Sequence, residues 1–370
     1  MKICIVLSTR PEIIKLAPII KILKTKKEKF FLVNTNQHYI NIMSKVFFNY
    51  FKIPKPKYNI KASTKTHGIF FSRAIKEIEK ILFKEKPDYL IVQGDTNTAL
   101  AGCLSASMFN RKFPDPKKKI KIVHVESGLR AFDERMPEEV NRILIDELSN
   151  ILFPPTDIDV ANLKNEKLIS KKIYKVGNTI SDVIKLYLPK IRKNKILKKL
   201  NLNKKKYFLV TVHRPESVDN IINLKKILKS FEKIGKIFKT KFIFSVHPRT
   251  QKILNKMHNK KFKYISFLKP LEYLDFMKLM LDSRIIFTDS GGIQEESSII
   301  GVPCITLRTT SERQITIIKK TNIITGYSHK RILEATKKFY NKKLKENTFF
   351  GNGNVSKKIY SKLKLNLNRS

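Results

Sequence analysis

Apolar, strand-like runs recur along this chain of 370 residues, and most of them stop at a polar residue. The runs are KICIVLS (2–8), FFLVNTN (30–36), YLIVQGD (89–95), KIVHVES (121–127), NILFPP (150–155), IYKVGN (173–178), YFLVTVH (207–213), KFIFSVH (241–247), YISFL (264–268), RIIFTDS (284–290) and PCITL (303–307). Amphipathic segments such as 69–84 and 221–238 separate them. Strands this apolar must be buried on both faces, which a parallel sheet covered by helices provides. The class expected is therefore α/β. The series restarts after residue 180, near a Lys/Asn-rich stretch at 190–206. Two doubly wound Rossmann-like domains facing a cleft are predicted, an N-terminal one over 1–178 and a C-terminal one over 179–354. Segment 355–370 is expected to be a helix returning to the first domain.

In open parallel sheets, ligands bind beyond the carboxyl ends of the strands. The residues that end the runs are then the first functional candidates: Arg10, Gln37-His38, Asp95, Glu126, His213-Arg214, His247 and Asp289 to Gly292. Their presence in both halves predicts an active site fed by both sheets.

The formal charge of +45 raises a nucleic-acid or anionic-surface partner as a reading. Against it, the lysines are spread along the whole chain, no aromatic interleaving accompanies them, and Lys, Ile, Asn and Phe are abundant together. Solvated surface is the expectation, with no nucleic-acid partner. Lysines number 62 against 14 arginines, so the arginines at strand ends and in motif-like stretches (Arg10, Arg130, Arg142, Arg214, Arg249, Arg313) stand out as candidates for bidentate tasks. Hydrophobic residues make up 42% of the chain, yet no run reaches the roughly 18 apolar residues that a membrane span needs. Cys4, Cys103 and Cys304 stand singly, which points to a reducing compartment and to neither a disulfide framework nor a zinc site.

The stretch TDSGGIQEES (288–297) reads as a strand end, a hydroxyl, two glycines and a helix start. Glycines admit a ligand close to the backbone, and a helix N-terminus offers N–H donors to an anion such as a diphosphate. Ser290, Gly291 and Gly292 would form that seat, with Glu296 placed to accept from ribose hydroxyls. An ordinary N-cap and tight turn explains the same residues. The dinucleotide fingerprint GxGxxG is absent, so no nicotinamide or flavin is expected, and no spacing supports a metal. His213 closes a strand, where an imidazole can donate to a phosphate or leaving-group oxygen or serve structure alone. Asp95 and Glu126 end apolar runs and are candidates for proton transfer. Pro137 suits the first position of a helix whose apolar face would run through Val140, Ile143, Leu144 and Leu148. Glu138 by itself reads as a helix-start residue that favours the dipole, and Arg130 and Arg142 as counter-charges of the acids around them.

STRPEIIKLAP, QGDTNTALAG, HVESGLRAFDERMPEEVNRIL, VGNTISDV, VTVHRPES, VHPRT and FTDSGGIQEESSIIGVPCITLR follow one another across residues 1–365. Together they resemble the non-hydrolysing UDP-N-acetylglucosamine 2-epimerases. The resemblance implies a glycosyltransferase-B-like fold, a cytoplasmic homodimer and no cofactor. It also implies reversible conversion of UDP-N-acetylglucosamine to UDP-N-acetylmannosamine, for cell-surface polysaccharide. The implied route is anti elimination of UDP to 2-acetamidoglucal, followed by re-addition. By matching motif, Asp95, Glu126 and Glu138 would be the acid–base carboxylates, and His213 would serve the diphosphate and leaving group. Arg10, Ser290, Gly291, Gly292, Glu296 and Arg313 would bind UDP, Phe276 would pack against uracil, and Lys15 matches a further substrate contact. The chain departs from the family at Asn36, Ser127, Thr309 and Gln314. Gln37 and His247 match positions of a second, regulatory nucleotide-sugar site in bacterial members, but Ile40 stands where those have glutamine. Alternatives are an epimerase of a 6-deoxy or 6-carboxylate UDP-sugar, a glycosyltransferase of the same fold, a hydrolysing epimerase and an anionic-polymer binder.

Overall fold

The computed structural model describes residues 1–37, 47–64, 66–257 and 262–367. His38 and Ile40, both singled out in the sequence, lie outside the described residues. The chain divides into two compact units, Met1–Lys185 together with the segment from Phe349 onward, and Leu186–Thr348.

In the first unit, β1 (Lys2–Leu7), β2 (Lys29–Asn34), β3 (Tyr58–Asn59), β4 (Tyr89–Gln93), β5 (Lys121–Val125), β6 (Ile151–Phe153) and β7 (Lys172–Ile173) form one parallel sheet. Their order is β3-β2-β1-β4-β5-β6-β7. Between β1 and β4, Ile3 stands opposite Tyr89 and Ile5 opposite Ile91, so the loops after these strands part at the switch in strand order. Val6, Val33 and Val92 meet Phe109 and Ile145 from the covering helices in a continuous core. The C-terminal helix Val355–Leu367 belongs to this unit. Asp182 anchors its start by accepting from the amides of Val355 and Ser356, and the Tyr89 hydroxyl donates to the carbonyl of Leu363 at 3.1 Å.

The second unit repeats the plan with β8 (Tyr207–Thr211), β9 (Lys241–Ser245), β10 (Ile265–Leu268), β11 (Ile285–Thr288), β12 (Cys304–Thr306) and β13 (Asn322–Ile324). The order is β10-β9-β8-β11-β12-β13, all pairs parallel. Its core is aromatic: Phe231 stacks on Phe242 with ring centroids 4.4 Å apart, and Phe208 meets Phe287 edge-on at 5.6 Å. The α/β reading of two doubly wound sheets holds. The run at 173–178 yields only the short edge strand β7, and the strands at 58–59 and 322–324 escaped the sequence reading because they are short and polar at one end.

The helix Pro137–Leu148 reverses one expectation. Val140, Ile143 and Leu144, read as a core face, are 44%, 40% and 43% exposed. The buried face instead carries Glu139, Asn141, Arg142, Ile145 and Asp146. Burial of charge is tolerated there because each group finds a partner, described below.

Gly128 follows β5 with φ +77°, and a Cβ there would come within 2.4 Å of the Asp159 carbonyl oxygen. Gly68, near a helix start, has open space around it. We expect Gly128→Ala to cost about 2 kcal/mol or more in unfolding free energy, from strain and clash together. Gly68→Ala should cost nothing or stabilise by up to about 1 kcal/mol. Urea titrations of both variants check the contrast.

Candidate active site

In the first unit the polar groups gather where β1, β4 and β5 end. Two residues separate β1 from the helix Arg10–Thr25, and its Glu12 is the hub of that turn. Glu12 Oε2 accepts from the amides of Ser8 (3.0 Å) and Thr9 (2.6 Å), and Oε1 accepts from the Thr96 hydroxyl (2.7 Å) on the turn after β4. Burial pushes the Glu12 carboxyl above its ordinary range despite these donors. Arg10 stands exposed at the same helix start, its guanidinium 4.8 Å from the Phe47 ring centroid.

One turn further, Lys15 is buried and its Nζ donates to Glu126 Oε2 at 2.5 Å. The same oxygen accepts from Gln93 Nε2 at 3.0 Å and Asn178 Nδ2 at 3.1 Å. A carboxylate with an ammonium and two amides on one oxygen is held as an anion in a fixed orientation. Glu126 itself has a left-handed backbone, φ +74°, which a non-glycine residue adopts at a cost. Beside it, the Ser127 hydroxyl is fully buried and has no hydrogen-bond partner among the described residues.

Asp95 follows the left-handed Gly94 and meets a different counter-charge. Arg142 donates to Asp95 Oδ2 from Nε (3.0 Å) and Nη2 (2.6 Å), and its Nη1 reaches Glu139 at 2.5 Å. Asn141 Nδ2 ties the Asp95 carbonyl at 2.9 Å. Glu139 is fully engaged in structure, accepting from the amides of Ala131 and Phe132. Glu138 sits half-buried in the first helical turn, one turn before Arg142. Both arginines read as counter-charges do meet acids: Arg142 bridges Asp95 and Glu139, and Arg130 binds Asp146 (2.8 Å) and Glu166 (2.5 Å), while Glu126 is faced by Lys15. Long arginines reach partners several turns away, which sequence proximity does not reveal.

In the second unit the candidates flank the β8/β11 switch. Asp289 is buried after β11 and accepts from the amides of His213 (2.9 Å) and Arg214 (2.8 Å), fixing the turn after β8. The His213 imidazole is held below its ordinary value by burial, with Arg214 and Arg249 adding to the effect and Asp289 opposing it. It lies against the His247 ring, with centroids 5.0 Å apart. Ser290 occupies the N-cap position of the helix Gly291–Ile299 without a side-chain cap bond. A Cβ at Gly291 would strike Glu312, whereas one at Gly292 would meet nothing closer than Ser290 Oγ at 4.0 Å. The space before this helix N-terminus is therefore open on the Gly292 side, as anion binding requires. Glu296, further along, accepts from the Tyr273 hydroxyl at 3.4 Å, and Phe276 is buried on the helix Tyr273–Asp282. Arg313 pairs with Glu295 at 2.5 Å and Glu312 at 3.7 Å.

Sequence reasoning overlooked Gln93, Asn178, Glu12 and Glu312. The first two were visible as polar residues within QGD and VGNT, at the ends of apolar runs. Gln37 and His247 have structural tasks: Gln37 accepts from Thr98, and His247 caps the helix Pro248–Asn255. Asn36 suits its place through a left-handed backbone, φ +53°, and a bond from its side chain to the Ile60 carbonyl. Among the described residues, no three His, Cys, Asp or Glu side chains come together as metal ligands. No helix there is long and apolar enough to cross a membrane.

A family model described as UDP-N-acetylglucosamine 2-epimerase matches residues 21–364. A UDP-N-acetylglucosamine 2-epimerase of Methanococcus maripaludis is 44% identical over 368 residues, covering 97% of both chains. A UDP-2,3-diacetamido-2,3-dideoxy-D-glucuronate 2-epimerase of Pseudomonas aeruginosa is 34% identical, covering 97% of this chain and 98% of its own. Among solved structures, the Methanocaldococcus jannaschii UDP-GlcNAc 2-epimerase in complex with UDP-GlcNAc and UDP superposes with a TM-score of 0.90. It is 43% identical, and the match covers 99% of this chain and all of that one.

Replacing one member of a buried ion pair strands the other. Lys15→Met should lower the unfolding free energy by about 3 kcal/mol. Adding Glu126→Gln to that variant should restore most of the loss, as read from urea midpoints.

Proposed function

The chain belongs to the UDP-N-acetylglucosamine 2-epimerase family, an isomerase family, and on that premise we propose that it interconverts UDP-N-acetylglucosamine and UDP-N-acetylmannosamine. In this reading a carboxylate among Asp95, Glu126 and Glu138 takes the C2 proton. The C1–O bond breaks with its electron pair on the UDP oxygen, leaving 2-acetamidoglucal. UDP then adds back to C1 while a carboxyl returns a proton to C2 on the opposite face. The observation that carries the reading is the pair of separately countered carboxylates, Glu126 on Lys15 and Asp95 on Arg142, at neighbouring strand ends. Transfer of a sugar to an acceptor needs one base, not an acid–base set.

Arg10, Ser290, Gly291, Gly292, Glu296 and Arg313 are assigned to UDP, Phe276 to the uracil, Lys15 to holding Glu126, and His213 to the leaving diphosphate. Support for the anion seat is the open helix start at Gly292 beside the His213 turn. His213 would meet the diphosphate as an N–H donor. No cofactor or metal takes part. The product would supply N-acetylmannosamine units for cell-surface polysaccharide, and the buried, unpaired cysteines suit a cytoplasmic enzyme. The Pseudomonas relative, named for a glucuronate substrate, supports a second reading in which C6 carries a carboxylate. The higher identity to enzymes named for UDP-N-acetylglucosamine favours the first.

Incubation with UDP-N-acetylglucosamine in D2O, followed by NMR, should give both epimers with deuterium at C2. Free N-acetylmannosamine with UDP would place the chain with hydrolysing enzymes, and absence of C2 exchange would overturn the proposal. Asp95→Asn and Glu126→Gln should each lose at least about 10²-fold in turnover while still binding UDP. Exchange only with the 6-carboxylate sugar would favour the second reading.

A homodimer is part of the same proposal, supported by the exposed apolar stripe Val140, Ile143 and Leu144. Sedimentation should report a dimer, and Val140→Glu with Leu144→Glu should yield monomers. An unchanged dimer in that variant would remove this face from the interface.

A further inference from the structure

His124 lies inside β5, fully buried, one residue from the strand's end. Its Nδ1 is 2.6 Å from Asp146 Oδ1 and its Nε2 is 2.9 Å from the carbonyl oxygen of Gly94. Asp146, also fully buried, lies on the helix Pro137–Leu148. Its second oxygen accepts from the Gly128 amide at 3.0 Å and from Arg130 Nη2 at 2.8 Å. Arg130 in turn grips Glu166 through Nε (2.6 Å) and Nη2 (2.5 Å).

Three segments meet on this couple. Gly94 precedes Asp95, Gly128 lies two residues after Glu126, and Asp146 shares a helix with Glu138. The two glycines are left-handed, φ +71° and +77°, so neither turn is fixed by ordinary backbone preference. The side chains of His124 and Asp146 tie them to each other, alongside the bond of the Gly94 amide to the Val125 carbonyl at 3.0 Å.

Hydrogen-bond stoichiometry adds a second point. A peptide carbonyl only accepts. Asp146 Oδ2 already takes the Gly128 amide and the Arg130 guanidinium, the arrangement of a carboxylate that only accepts. Both neighbours of the imidazole are thus acceptors, so both ring nitrogens must donate. The resulting set, His124 and Arg130 against Asp146 and Glu166, is neutral as a whole.

We infer that His124 and Asp146 are positioning residues for the proposed reaction, a doubly protonated imidazole and a carboxylate that fix where Asp95, Glu126 and Glu138 stand. The inference rests on the epimerase reading for its kinetic consequence, but the state of His124 does not. Neither residue is assigned contact with substrate.

The test pairs kinetics with 15N NMR of histidine-labelled protein. His124→Asn retains a donor toward Asp146 and loses the tie to Gly94; His124→Gln does the reverse. A shift of about 1 Å in a catalytic group costs about 10²-fold, so kcat for C2 exchange should fall by that order with KM within about twofold. UDP affinity should be unchanged. In the ligand-free wild-type protein both nitrogens of His124 should carry protons. A folded His124→Asn variant with wild-type kcat would overturn the inference, as would a wild-type His124 with a single proton-bearing nitrogen. Lowered thermal stability with unchanged kcat would reduce the couple to a structural role and overturn it equally. Should the wild-type protein show no C2 exchange, the epimerase reading fails, and the nitrogen spectrum still decides whether the couple exists as described.

Discussion

A parallel sheet covered on both faces gives its polar side chains few places except the carboxyl ends of its strands, and there they remain close to a dry core. Charges in such a position are stable only when each meets an opposite charge or a set of N–H donors. The strand ends of this protein follow that condition closely. At the strand ends Glu126 is met by Lys15 and Asp95 by Arg142, and the buried Asp146 and Arg313 nearby are met by His124 and Arg130 and by Glu295. Asp289 uses backbone amides instead. The functional groups are therefore held by the same interactions that make their burial tolerable, and rigidity comes without any additional device.

Backbone strain is concentrated in the same place. Gly94, Glu126 and Gly128 all take left-handed conformations within the turns after β4 and β5. For Glu126 this costs about 1 kcal/mol or more that a right-handed residue would not incur. What it achieves is direction: the side chain turns back toward Lys15 on the first helix, Gln93 on β4 and Asn178 beyond β7. A carboxylate on a relaxed strand extension would point away from one or more of these donors.

Much of the fold was legible because apolar runs of five or more residues leave little choice of class, and the restart after residue 180 announced a second sheet. Short strands with polar ends, β3 and β13, gave no such signal. At the site, single residues at strand ends were readable as candidates, but their partners were not. Lys15 and Glu126 are 111 positions apart, and Arg142 and Asp95 are 47 apart. The helix Pro137–Leu148 misled because hydrophobic periodicity assumes that the apolar face is the buried one. Here the buried face is the charged one, its costs offset by Asp95, His124 and backbone amides, and the apolar stripe is left outside.

The same accounting bears on how the carboxylates would divide their work. Protonating Glu126 would remove the anion that Lys15 faces at 2.5 Å inside a buried site, so a proton held there is expensive to keep. Asp95 is bound by a guanidinium through two nitrogens, yet its side chain is 30% exposed, and water can share the cost of a change in charge. Glu138 is half-buried in the first turn of its helix. On the epimerase reading, a C2 proton must be taken from one face and another delivered to the opposite face, with the two carriers reset between turnovers. Groups that exchange charge with solvent reset easily; a group locked to a lysine does not. On that reading we propose Asp95, sooner than Glu126, as a carrier that resets through solvent.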